Sequence, residues 1–323
     1  MLDKKIFLNI LVSLLSTFVI FVLIELGLRI KNKFVIDYDI EMWRYSKELK
    51  IKSNESKINH VHKKNSSAIL QNVKIDINSK GMRGNDIDLD NWGKSTKKIL
   101  FIGSSITLGW GVKDEMTQNR ILEKKVKEDN LDWAILNGGV GNYNTERYVS
   151  NLLINFKDLK PDVVLLQYFI NDAEVLTAQR GNFFTRNFHL GVFIWKYLAK
   201  MKSDIVQENI YDYYNRVYAN EKEIKNVKNN LIKFKDYCNK NDIRCIIIYT
   251  PDLNLINSID RLNFARDYVS NISNEIDMEF FDLTNIFKLL KDKKLTNSEY
   301  KDRHPNSFAH SIFANNIYKY LIN

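Results

Sequence analysis

The chain has 323 residues, enough for one large domain with additions or two modest ones, and its 45% hydrophobic and 27% charged residues are ordinary for a folded protein. A net charge of +9 comes from lysines scattered along the chain rather than from a block. With no basic stripe interleaved with aromatics and no zinc or helix-turn-helix spacing, nucleic-acid binding is disfavoured; a basic surface facing an anionic membrane or polymer, or only solvent, is left.

In chain order, residues 6–28 are apolar except for Asn9, small hydroxyls and Glu25, and 23 such residues are long enough to cross a bilayer as a helix. Lys4 and Lys5 precede the run, and Arg29, Lys31 and Lys33 follow it. No small-x-small cleavage site closes it, so residues 1–33 are expected to be an uncleaved anchor rather than a signal peptide. Positive charge on both flanks leaves its orientation open. Residues 34–72 are Lys-, Asn- and Ser-rich and weakly periodic, and are expected to form a polar stem. Within them His60 and His62 lack a third ligand nearby, so no metal is expected there. Residues 73–77 alternate as a strand does, and a turn-like segment follows at 78–84.

From residue 99 a rhythm sets in. Strands are predicted at 99–102, 133–136, 163–168, 245–249 and 280–283, and helices at 118–126, 146–156, 222–238, 261–276 and 307–322. Strands alternating with helices imply an α/β fold: a three-layer α/β/α sandwich around a mostly parallel five-stranded sheet, flavodoxin-like, preceded by the transmembrane helix. Such sheets place ligands beyond the carboxyl ends of their strands, where Ser105, the segment 137–144 and Asn171 all fall. An insertion at 173–220 breaks the rhythm with Phe183, Phe184, Phe188, Phe193, Trp195, Tyr197, Tyr211, Tyr213, Tyr214 and Tyr218. It fits a lid over a pocket, or packing against the sheet or a membrane surface, equally well. The two cysteines, Cys238 and Cys245, sit at a helix end and a strand start. Buried free thiols are the simpler expectation, and a disulfide stays open for an oxidising compartment.

The chemistry-bearing residues lie at successive strand ends. Ser105 follows Gly103 at the end of the first strand of the rhythm, where the sheet fixes the backbone and a loop exposes the hydroxyl. The loop Asn137-Gly-Gly139-Val-Gly141-Asn142-Tyr-Asn144 offers backbone N–H groups, and Asn171 with Asp172 ends the third strand. Near the C-terminus, Asp302-Arg-His304-Pro-Asn306 places a histidine beside a carboxylate just before a helix. Together they supply what acyl transfer needs: Ser105 attacks, His304 takes its proton, and Asp302 fixes the imidazole tautomer. The N–H of Ser105, an N–H of Gly141 or Asn142 and the Asn171 amide would receive the oxyanion. Glycines at 103, 109 and 111 do not make the dinucleotide-binding spacing, and no cofactor or metal is expected.

These blocks resemble those of the SGNH (GDSL-like) hydrolases, over roughly residues 73–322. Phe101-Ile-Gly-Ser-Ser105 looks like the nucleophile block, 137–145 like the glycine block, Phe169-Ile-Asn-Asp172 like the Gly-x-Asn-Asp block and Asp302-Arg-His304 like the final Asp-x-x-His block. Four positions depart from the pattern. Ser104 replaces an Asp that supports the loop, Asn142 falls where the oxyanion glycine is expected, and Phe169 replaces a glycine, which should narrow the pocket. Asp302 lies two residues before His304 rather than three, where Lys301 stands. The anchor ending Glu25-Leu-Gly-Leu-Arg29 and the segment 78–84 resemble membrane-anchored members found beside surface-polysaccharide genes. The resemblance implies a serine esterase with its body (residues 73–323) outside the cytoplasm. It would remove or transfer a small acyl group, acetyl above all, on an acylated cell-surface glycan or another small ester. The departures motivate one alternative, a catalytically silent scaffold or binding subunit of a polysaccharide assembly or export system.

Overall fold

A computed structural model describes residues 4–176, 181–206, 209–297 and 302–323, so parts of the insertion at 173–220 and Lys301 lie outside the described residues. The chain divides into two compact units, one of residues 1–47 and 179–207, the other of residues 48–178 and 208–323.

The first unit is built on the helix Lys4–Phe34. Its 31 residues rise about 46 Å at 1.5 Å each, and its apolar window is unburied, so by length and composition it can cross a membrane. Half of the aromatic insertion belongs to this unit, as the short helix Phe183–Asn187 and the helix His189–Val206. Glu25 accepts hydrogen bonds from the first-turn N–H groups of His189 and Leu190, both at 3.0 Å, and so caps the second of these helices.

Among the described residues, the second unit holds nine strands: β1 (Lys50–Lys52), β2 (His60–His62), β3 (Ser66–Leu70), β4 (Val73–Ile77), β5 (Lys97–Gly103), β6 (Trp133–Asn137), β7 (Val163–Phe169), β8 (Arg244–Thr250) and β9 (Glu279–Asp282). The last five form one parallel sheet in the order β6-β5-β7-β8-β9. Side chains alternate across it. Leu100, Ile102, Leu136, Val164, Leu166 and Ile247 enter one core with Trp92, Tyr148, Leu231 and Phe234 from helices. Ile99, Phe101, Ile135, Val163, Leu165 and Ile246 enter the other with Leu122, Phe313, Ile317 and Leu321. Strands buried on both faces explain the continuous apolar runs in the sequence, and the result is the expected three-layer α/β/α sandwich. Order reverses at β5, so the crevice between the carboxyl ends of β5 and β7 is the topological switch point.

The expected polar stem is corrected by the structure. Residues 34–72 carry the helix Tyr38–Glu48 and three strands; β1 pairs antiparallel with β2, and β3 with β4 across a two-residue turn at Gln71 and Asn72, both with positive φ. Ile58 and Leu70 are fully buried, Ile58 among the residues of the first core. Single apolar residues set in polar sequence dock residues 48–72, which is why no periodicity betrayed them. The cysteines also differ from the simpler expectation. The helix Glu221–Lys240 and β8 bring Cys238 and Cys245 to a Cα separation of 6.1 Å, and the two form a disulfide. The predicted helix at 146–156 is α-helical only over Thr145–Asn151, then widens into a π-type turn over Leu152–Phe156.

Candidate active site

β5 delivers the serine. It ends at Gly103, whose φ of 157° and tight surroundings leave no room for a side chain: a Cβ there would collide with Thr107 Oγ1 and come within 2.9 Å of the Gln167 carbonyl. Ser104 is buried, and Ser105 opens the single turn Ser105–Leu108. That turn is clamped at its far end by Arg83, a buried side chain that sequence reasoning missed. Its guanidinium donates to the carbonyls of Leu108, Gly109 and Val112 at 2.6–2.7 Å, placing a cation where a helix end leaves carbonyls unpaired. Beneath the turn, Thr107 Oγ1 and Gln118 Nε2 donate to Gln167 Oε1, and Gln167 Nε2 donates to Thr250 Oγ1. This buried polar set ties the turn that carries the serine to β7, β8 and the helix Gln118–Glu128.

The histidine comes from the other end of the chain. Residues 302–306 lie beside residues 295–297, joined by hydrogen bonds from Asn297 N to the His304 carbonyl and from Asn306 N to the Leu295 carbonyl, both 3.0 Å. Asn306 then caps the helix Ser307–Ile322 through Ala309 N, so the last helix fixes where His304 stands. His304 Nε2 is 2.7 Å from Ser105 Oγ, and His304 Nδ1 is 2.6 Å from Asp302 Oδ1. The two-residue step from Asp302 to His304 closes a local turn: Asp302 Oδ1 also accepts the backbone N–H of His304 at 3.0 Å. Asp302 is 1% exposed. Burial opposes its charge, but the hydrogen bonds and charge of His304, with a hydrogen bond from Gln71, hold the carboxyl below its ordinary range. An ionised carboxylate can only accept, so it fixes the proton on Nδ1 and turns the Nε2 lone pair toward the serine hydroxyl.

Ser105, His304, Asn171 and Phe169 line one cavity of about 180 Å³, together with Ile210, Tyr214, Asp252, Asn254 and Arg303. Asn171 sits in the turn Ile170–Ala173 after β7, held because Asp172 Oδ2 accepts the Phe169 N–H at 2.9 Å. Burial pushes the Asp172 carboxyl well above its ordinary range. Phe169 stands in the cavity wall.

Gly141 and Asn142 are not among the residues lining that cavity, although their loop runs alongside the serine: Gly138 N donates to the Phe101 carbonyl and Val140 N to the Gly103 carbonyl. Asn142 adopts a left-handed φ of 65°, and the Gly141 carbonyl accepts from Lys50 Nζ at 2.7 Å and His60 Nε2 at 3.1 Å. In a trans peptide C=O and N–H point opposite ways, so the Asn142 N–H faces away from Lys50 and His60. His62 Nδ1 bonds to the Gly81 carbonyl, so each histidine of this pair serves a backbone carbonyl. Desolvation, with the charge of Arg147, lowers Lys50 to about 7. Lys50 and His60 belong to the segment read as a stem, and no local motif marks them.

No protein-family model matches the chain, and no curated protein matches it. Solved structures do resemble it. A crystal structure of TesA has a TM-score of 0.46 at 10% identity, over 70% of this chain and 98% of that one. A two-domain esterase active on acetylated mannans gives 0.47 at 15%, over 73% of this chain and 52% of that one. An acetyl xylan esterase gives 0.44 at 16%, over 69% of this chain and 99% of that one.

Proposed function

We propose that the chain is a membrane-anchored serine esterase of SGNH type that takes a small acyl group, acetyl above all, from a cell-surface glycan. The observation that carries this reading is the hydrogen-bonded series Ser105 Oγ, His304 Nε2, His304 Nδ1, Asp302 Oδ1, opening on a cavity. As Oγ attacks the ester carbonyl carbon, its proton passes to Nε2, and the imidazolium is stabilised by the Asp302 carboxylate. The carbonyl oxygen becomes an oxyanion, received by the Ser105 N–H, the Asn171 amide and an N–H of the Gly141–Asn142 loop. Collapse expels the sugar alkoxide, which takes the proton from Nε2 and leaves an acyl-Ser105 ester. Water, or an acceptor sugar hydroxyl for transfer, then attacks with His304 again as base.

Cavity size supports a short acyl chain, since about 180 Å³ is below the range of pockets that hold drug-sized ligands. The polar atoms of Asp252, Asn254 and Arg303 at the same cavity suit sugar hydroxyls better than a lipid tail. The apolar helix Lys4–Phe34 supports anchorage, and the Cys238–Cys245 disulfide supports a body in an oxidising compartment outside the cytoplasm. A fluorophosphonate probe tests the chemistry. Labelling of the wild type that vanishes in Ser105→Ala is expected, whereas well-folded chain that never labels would favour the silent scaffold. Release of acetate from acetylated oligosaccharides, against transfer to an added acceptor, separates hydrolysis from transfer.

A further inference from the structure

Glu25 is a carboxylate three residues before the end of an apolar run, a costly place for a charge unless something demands it. What it holds is the start of the helix His189–Val206: two backbone N–H groups donate to its two oxygens at 3.0 Å, and Arg29 Nε donates at 2.7 Å. Arg29 reaches further and donates to the Asn187 carbonyl at 2.8 Å. One turn deeper along the same helix, the Phe21 ring meets Phe188 edge-on with centroids 5.2 Å apart. The short helix Phe183–Asn187 is therefore pinned at the level where residues 6–28 end. There, Phe183 and Phe184 pack on Phe188 at 5.9 and 6.0 Å but remain 67% and 58% exposed. Arg29, Lys31 and Lys33 follow the apolar run in the last turns of the anchor helix, and Arg186 lies on the same short helix as Phe183 and Phe184. Exposed phenylalanines edged by cations match a bilayer boundary, where rings enter the acyl region and cations meet lipid phosphates.

We infer that Phe183 and Phe184 insert into the membrane interface as a second contact beside the anchor, locked to it by Glu25. The inference rests on reading Lys4–Phe34 as a membrane helix. The occupant is lipid, and the rings are expected to be shielded in vesicles that contain no other protein.

The test uses the full chain reconstituted in phosphatidylcholine–phosphatidylglycerol vesicles, with an NBD fluorophore on Phe184→Cys or, separately, Phe183→Cys. Ile87→Cys on the helix Asp86–Lys94 serves as the exposed reference. Quenching by shallow lipid-borne nitroxides, with protection from aqueous iodide at 183 or 184 and not at 87, is the expected result. If both positions are as accessible to iodide as 87 while the chain resists alkaline extraction, the inference is overturned and the anchor stands. Release of the chain by alkaline carbonate would overturn the anchor reading and this inference with it.

Discussion

Ser105 and His304 are each held by backbone partners outside the triad, the Ser105 carbonyl accepting the Gly109 and Trp110 N–H groups and the His304 carbonyl the Asn297 N–H, so removing either side chain should silence chemistry without loosening the fold. Ser105→Ala and His304→Ala are expected to lower kcat for nitrophenyl acetate by about 10³-fold or more, with thermal melting essentially unchanged. Asp302→Asn should cost on the order of 10²- to 10⁴-fold, because an amide in its place no longer fixes the proton on Nδ1. Turnover that survives in Ser105→Ala would dismiss the serine as nucleophile. Asn171→Ala should cost about a hundredfold in kcat with little change in KM, since an oxyanion donor acts on the transition state; a pure KM effect would make Asn171 a substrate-binding residue instead. These positions were legible in the sequence because chemistry restricts their residue types and the strand rhythm places them at sheet ends. Arg83, Gln167 and Lys50 were not, because Arg83 and Lys50 act on backbone carbonyls and Gln167 on other polar side chains, and any polar residue at any spacing can do that.

At the scale of elements, two pieces of structure fix the site's backbone. The β1–β2 hairpin carries Lys50 and His60 to the Gly141 carbonyl, and a cation on that oxygen polarises the peptide whose N–H belongs to Asn142. Lys50→Met is expected to lower kcat about tenfold while leaving KM within about twofold. Burial, with the charge of Arg147, lowers Lys50 to about 7, so its charge is present below that pH and lost above it. The ratio of wild-type to variant kcat should therefore fall as pH rises from about 6 to 8; a ratio that stays flat would leave the lysine a packing role only. The second piece is the start of the helix Ser307–Ile322. Asn306→Ala removes its cap and the hydrogen bond to the Lys294 carbonyl, and should cost about 1 kcal/mol in stability, read by urea melts. Sheet strands and the last helix could be located from their apolar runs and spacing. The hairpin could not, since three-residue strands of Lys-Ile-Lys and His-Val-His carry no pattern longer than themselves.

For the whole molecule, the buried histidines set how the fold meets acid. Burial lowers His62 and His310 to about 3 each and His60 to about 2, so all three are neutral in the native state at mildly acid pH. Unfolded, each binds a proton near 6.5. Between those values the unfolded chain holds more protons, so stability is complete above about 6.5 and falls as pH drops toward 3. His62 and His310 should each withdraw on the order of 2 kcal/mol by pH 5. Asp172 and Glu174 act in the opposite sense, because burial raises both carboxyls, Glu174 to about 7, and acid relieves their cost. The net slope of the wild type thus mixes both, and only a difference isolates one group. His310 is the clean choice: fully buried, it accepts the Gln118 N–H at Nδ1, and an asparagine oxygen can take over that bond. His310→Asn is expected to be less stable than wild type at pH 7, through lost packing, and to close that gap as pH falls from 6.5 to 5. Urea melts at the two pH values decide it, and a gap that stays constant would mean His310 is already charged in the folded protein or reachable by water. Because Gln118 also donates to Gln167 under Ser105, a histidine charged in the native state would be felt at the nucleophile too. Turnover should then fall on acidification while the stability gap stays constant, and the same pH series can measure both.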